Sequence, residues 1–155
     1  MQFDSLEAIL DFAIEKEIEA ADFYRTVARE ERYADTSRMF QEFAAEEEKH
    51  QKMLEDFKAK GISKSLEDYQ LRWIRDIKRS NFVVEQEYRP GMPYQDILML
   101  AIKREEKALA LYNDFLEQVE HPDSKKLFQV LCQEEAKHKR GLENLYDDYM
   151  AELGD

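Results

Sequence analysis

Ala13-Ile14-Glu15-Lys16-Glu17, running on to Tyr24, returns 88 residues later as Ala101-Ile102-Lys103-Arg104-Glu105, running on to Tyr112. Glu46-Glu47-Glu48-Lys49-His50 returns at the same offset as Glu134-Glu135-Ala136-Lys137-His138. Between residues 13–57 and 101–145, 14 of 45 aligned positions are identical without an insertion or deletion, which marks a duplicated unit. The paired identities include Glu17 with Glu105, and a Glu-x-x-His at Glu47/His50 and again at Glu135/His138.

Apolar spacing makes each unit a pair of helices. Leu6, Leu10, Ala13, Ala20, Phe23, Tyr24 and Val27 form a helical stripe ending near Glu30, with Asp4 or Ser5 as N-cap and Glu7 completing a capping box. A second helix starts at Asp35 or Thr36, is anchored by Met39, Phe40, Phe43, Leu54 and Phe57, and stops near Gly61. Pro93 suits the first turn of a third helix reaching about Val119. His121-Pro122-Asp123-Ser124 is a break and cap before a fourth helix, which carries Leu127, Phe128, Leu131, Leu142 and Leu145.

Short turns within each pair make antiparallel neighbours. Roughly 30 residues, Ile62 to Met92, separate the pairs, a length at which a structureless connection is unusual. Leu66, Tyr69, Trp73 and Ile77 have helical spacing, so a crossover helix is expected within Ser65 to Lys78. The expected fold is all-α: a four-helix bundle of two pseudo-symmetric pairs, with a long crossover between its second and third helices. Its 155 residues fit a single domain, 1–155.

Composition narrows the chemistry. A net charge of −12 argues against nucleic acid and anionic membranes, and the sequence has no span of transmembrane length. The expected location is the cytoplasm. A single cysteine, Cys132, rules out an internal disulfide and a four-cysteine metal site; aligned with Ala44 of the other half, it reads as a small core residue.

Two of the three histidines follow a glutamate by three residues, and each of those glutamates lies 30 residues after another repeated glutamate. Residues three apart on a helix are neighbours, so Glu47 with His50, and Glu135 with His138, can each share a metal ion. One Glu from each of two helices and a Glu-x-x-His from each of the other two is the ligand set of a dinuclear site in a helix bundle. Four buried carboxylates without cations would be costly, and bound metal removes that cost. Oxygen-rich ligation with one nitrogen per metal favours iron or manganese; zinc fits but brings no redox chemistry.

Tyr24 and Tyr112 each lie seven residues after a repeated glutamate, and helical side chains lean towards the N-terminus. Each phenol is therefore expected to reach back to the glutamate two turns earlier, across a gap left by Ala20 and Ala108. Glu46 and Glu134 also repeat, and ligating histidines usually give their second N–H to a carboxylate. Glu46 is accordingly expected to hold His138, and Glu134 to hold His50. Glu48, Glu15, Glu19 and Glu106 do not repeat and read as solvated flank residues. His121 reads as a loop or helix-entry residue.

On Glu17, Glu47-x-x-His50, Glu105 and Glu135-x-x-His138, with Tyr24 and Tyr112 in support, the whole chain resembles the ferritin-like superfamily. It is most similar to the rubrerythrin-like di-iron proteins that lack a rubredoxin domain. The resemblance implies two iron ions per chain, with Glu17 and Glu105 as terminal ligands and Glu47 and Glu135 as bridges. His50 and His138 complete the two sets. It implies an oxidoreductase that reduces peroxide or dioxygen in oxidative-stress protection, fed by an external donor such as a rubredoxin-type protein, in a homodimer. The alternatives are Fe(II) oxidation for iron handling and a non-catalytic metal-binding bundle. Rubrerythrins carry a further Glu-x-x-Glu carboxylate on the third helix, but here Ile102 and Ala108 flank Glu105 at that spacing. Bacterioferritins have a haem-binding Met directly after the first bridging Glu, where this chain has Glu48.

Overall fold

The computed structural model describes residues 2–72 and 87–154. Four long helices dominate it: α1 (Leu6–Glu30), α2 (Ala34–Lys60), α4 (Tyr94–Gln118) and α5 (Pro122–Gly154). A single turn, α3 (Lys64–Glu67), follows α2, and there is no β-strand among the described residues. This is the all-α ferritin-like bundle that the sequence implies.

Local chemistry sets the helix ends. Ser5 is the N-cap of α1, its hydroxyl accepting from the Ala8 N–H at 3.1 Å. Position N3 is thus Ala8, so the expected capping box does not form, and Glu7 serves as first-turn acid facing the helix dipole. Gly61 at φ +78 closes α2, its N–H bonding to the Phe57 carbonyl at 2.9 Å. Pro93 caps α4 from just outside, and its carbonyl accepts from Asp96 and Ile97. α5 already begins at Pro122, where a missing N–H costs nothing. His121 is exposed at the entry to this helix: its ring accepts from the Asp123 N–H at 3.1 Å and its carbonyl from the Lys125 N–H at 3.0 Å.

Helix directions follow from cross-helix partners. Between α1 and α4, Glu17 meets Tyr112 and Tyr24 meets Glu105, so the numbering runs in opposite senses. Between α2 and α5, Glu47 meets His138 and His50 meets Glu135, again antiparallel.

Two apolar cores lie along the bundle. One contains Leu10, Leu54, Phe115, Phe128 and Leu131; the other contains Val27, Phe40, Ile97, Ile102 and Leu142. Fully burying one such side chain is worth roughly 1.5–3 kcal/mol, so the two cores carry most of the fold. Glu17, Glu47, Glu105 and Glu135 occupy the intervening residues on the four long helices.

The expected crossover helix is corrected in its described part. Helix stops at Glu67, because α5 side chains take over the backbone bonds that a longer helix would make. Lys126 Nζ donates to the Tyr69 carbonyl at 2.7 Å, Gln133 Nε2 donates to the Gln70 carbonyl at 3.3 Å, and the Arg72 N–H donates to the Gln133 side chain. Trp73 and Ile77 lie outside the described residues. No helix among the described residues is long and apolar enough to cross a membrane.

Candidate metal centre

Helical periodicity turns one glutamate of α1, one of α4, and a Glu-x-x-His of α2 and of α5 into the bundle axis. Their side chains form two overlapping groups, each with donor atoms within 4.8 Å of one another: Glu17, Glu47, His50 and Glu135; and Glu47, Glu105, Glu135 and His138. Glu47 and Glu135 belong to both. All four carboxylates and His50 are buried, and His138 is nearly so. The two imidazoles stack, with centroids 5.2 Å apart and planes 17° apart.

Several of these atoms have no hydrogen-bond partner among the described residues: Glu17 Oε2, Glu105 Oε2, Glu135 Oε1 and both nitrogens of His50. His50 Nδ1 lies only 2.7 Å from Glu135 Oε1, yet neither atom bonds the other. They are close without being aimed at each other. His50 Nδ1 is also 3.6 Å from Glu17 and 3.5 Å from Glu47, while His138 Nδ1 is 3.1 Å from Glu47 and 3.9 Å from Glu105. Buried polar atoms are almost always paired, so five orphans in one layer point to a missing partner. A cation is the group that satisfies carboxylate oxygens and imidazole nitrogens together, and three oxygens with one nitrogen per group suit iron or manganese.

The electrostatics agree. Burial, followed by the hydrogen bond and charge of Glu47, pushes Glu17 well above the usual carboxylate range. Burial together with Glu135 and Glu47 does the same to Glu105, and burial with the Glu47 charge pushes Glu135 up to about 7. Glu47 goes the other way: burial opposes its charge, but the proximity of Glu17, His138 and His50 outweighs burial and holds it low. Burial opposes charging of His50 too, yet Glu135, Glu17 and Glu47 raise it; His138 is raised by Glu47 and Glu105 against the same opposition. Without cations these groups would hold protons, and cation binding would release them.

Both tyrosines meet glutamates of the cluster, but not those of their own helices. Tyr24 OH donates to Glu105 Oε1 at 2.6 Å, and Tyr112 OH donates to Glu17. The expected same-helix pairing is thus corrected to a crossed one. Seven residues cover roughly 10 Å of helix, too far for a phenol to span, while the antiparallel partner helix brings its glutamate level with the hydroxyl. Burial and the adjacent carboxylates push both phenols well above their ordinary range, so each keeps its proton and acts as a donor.

The outer glutamates also depart from expectation. Glu46 does not hold His138; it bonds Lys49 Nζ at 3.0 Å on the surface. Glu134 does not hold His50 either; its Oε2 accepts from Tyr69 OH at 2.5 Å and pairs with Lys137 at 2.9 Å. In each case a lysine three residues on is a nearer partner than a histidine on the inner face. Glu106 is corrected from a solvated flank residue to a half-buried partner of Lys139, whose ammonium is 3.1 Å away and fully buried. From sequence Tyr69 reads only as part of the crossover stripe and Glu106 as a flank residue, and Lys139 is not singled out, since none is repeated at the 88-residue offset. Glu48 pairs with Arg25 and Glu19 with Lys16, both at the surface. Cys132 is packed against the first core, and burial, then Glu135, pushes its thiol up to about 12, so it is unreactive.

A groove of about 780 Å³ opens between α1 and α4 and reaches Glu17, Glu47, Glu105 and Glu135. Ala20 and Ala108 line it where larger side chains would close it, so the gap inferred from sequence is present.

The rubrerythrin family model matches residues 8–76 and 96–154. No curated protein and no solved structure matches the chain.

Proposed function

The chain belongs to the rubrerythrin family, and from that premise we propose that it is a non-haem di-iron oxidoreductase that reduces hydrogen peroxide or dioxygen. The observation that carries this reading is the pair of overlapping groups with buried, orphaned donor atoms. Glu17, Glu47, His50 and Glu135 would hold one iron, and Glu47, Glu105, Glu135 and His138 the other. When bound, a ferrous pair supplies Lewis acidity and the two electrons needed to reduce peroxide to water.

The chain's own side chains do the rest. The Tyr24 and Tyr112 hydroxyls fix the orientation of Glu105 and Glu17 by bonds from outside the ligand layer. Phe43 packs edge-on against His138 and stacks on Tyr24, which excludes water from that side. The groove over Ala20 and Ala108 admits a small oxidant. In this reading an external donor, such as a rubredoxin-type protein, restores the electrons, and the protein works as a homodimer.

The test is turnover. Iron-loaded, reduced protein should consume hydrogen peroxide repeatedly with an artificial reductant and build no large ferric core. Retention of hundreds of irons per oligomer would instead assign it to iron storage. Failure of the ferrous protein to react with either oxidant would assign it to metal sequestration.

A further inference from the structure

The groove between α1 and α4 is larger than a diatomic oxidant or peroxide needs. At about 780 Å³ it falls within the roughly 300–1,000 Å³ of sites that hold organic ligands. Its lining obeys the internal repeat: Phe12 and Phe23 on α1 correspond to Leu100 and Leu111 on α4, with Ala20 and Ala108 between them. From Phe12 to Phe23 is roughly 16 Å of helix, so the apolar strip is long and narrow. Tyr24, Tyr112 and the four cluster glutamates also border it.

Charge around the groove breaks the repeat. Lys103 and Lys107 on α4 stand where α1 has Glu15 and Glu19. Because Tyr24 meets Glu105 across the antiparallel pair, Lys103 and Arg104 lie at the Phe23 end. The Arg104 guanidinium sits over the Phe23 ring, 4.3 Å from its centroid, and Lys103 is half-buried. Among the described residues neither makes an ion pair, in a chain with 35 acidic and only 23 basic side chains. Glu87 also lines the groove, and Glu19 is already held by Lys16 at 3.2 Å. Lys103 and Arg104, which make no ion pair among the described residues, stand at the mouth of this largely apolar slot, where they can receive an anionic head with a hydrocarbon body.

We propose that this groove binds a linear alkyl carboxylate, its chain lying over Ala20 and Ala108 and its head on Lys103 and Arg104. Binding needs neither metal nor turnover, so its failure would leave the redox reading standing.

The experiment is calorimetric titration of the full chain with sodium dodecanoate below its micellar concentration. Saturable binding of one dodecanoate per groove is expected, with uncharged dodecanol at least about tenfold weaker. Ala108→Trp and Ala20→Trp fill the slot from opposite walls, and each should cost at least about tenfold, as should Lys103→Glu combined with Arg104→Glu. Circular dichroism and metal content confirm that each variant folds. Absence of saturation below about 1 mM would overturn the proposal. So would equal affinity for dodecanol, or binding that survives both tryptophan variants. Sedimentation provides the other decisive arm: a wild-type dimer that Ala108→Trp dissociates would give the groove to a second copy of the chain and overturn the ligand assignment.

Discussion

Glu46 and Glu134 hold the same position in the two halves of the chain, yet they live in different surroundings. Glu46 lies on the open face of α2 and meets Lys49. Glu134 lies under the segment that leaves α3, where Tyr69 bonds it and Lys137 flanks it; these contacts outweigh burial and hold its carboxyl below the usual range. One layer further in, the halves agree: Glu17 mirrors Glu105, Glu47 mirrors Glu135, and Tyr24 and Tyr112 make reciprocal bonds. Duplication is thus preserved where four helices close on a common centre. It is lost at the outer position, where Tyr69 covers Glu134 and, among the described residues, Glu46 meets only Lys49.

If the inner layer is symmetric, its two shared glutamates are equivalent, and removing either should have the largest effect. Glu47→Ala and Glu135→Ala should each lose most of both metals, whereas Glu17→Ala should mainly deplete one. Metal analysis of the three variants checks this, and a one-metal loss in Glu135→Ala with two in Glu47→Ala would break the symmetry.

The second effect depends on pH. Folding raises Glu17, Glu105, Glu135, His50 and His138. Such groups stabilise the metal-free fold while protonated, and that stability is lost as pH rises through their folded values. Glu47, held low, acts in the opposite sense but only at the acid end. The Tm of metal-free protein should therefore fall between about pH 5 and 8, while metal-loaded protein, whose ligands must be deprotonated, should gain over the same interval. Thermal melts of both forms measure it, and Glu135→Gln should flatten the metal-free slope.

Smaller still is the effect of the crossed tyrosines. In metal-loaded protein, whose ligand carboxylates are ionised, Tyr24→Phe and Tyr112→Phe should each cost about 1.5–3 kcal/mol, the range for a buried bond to a charged acceptor. Because the bonds cross, Tyr24→Phe should disturb the iron held by Glu105 and His138, and Tyr112→Phe the iron held by Glu17 and His50. Iron spectroscopy of the two variants would distinguish crossed from same-helix pairing. The smallest effect sharpens the outer contrast: Tyr69→Phe should cost about 1 kcal/mol through Glu134, while Glu46→Gln on the open face should cost less than about 0.5 kcal/mol. Equal losses in chemical denaturation would show that the two faces are not different after all.

What the sequence made legible follows the same division. The six cluster residues, the four long helices and the gap at Ala20 and Ala108 could be read because each is written twice at one offset. The tyrosine partners could not, since spacing along one helix does not say how close the opposite helix comes. Nor could the fates of Glu46 and Glu134, which depend on what lies over α5 at Tyr69. Glu106 and Lys139 resemble any charged helix face, and only their packing shows that the ammonium is buried. The connection was overread for a related reason: Leu66 and Tyr69 keep helical spacing, but Lys126 and Gln133 draw the backbone after Glu67 into other bonds.

If the two symmetric halves close on two metal ions, anomalous diffraction at the iron edge, from crystals of protein produced in iron-replete cells, will show two peaks per chain. One should lie among Glu17, Glu47, His50 and Glu135 and one among Glu47, Glu105, Glu135 and His138. A single peak, or none between α1, α2, α4 and α5, would rule out the paired centre.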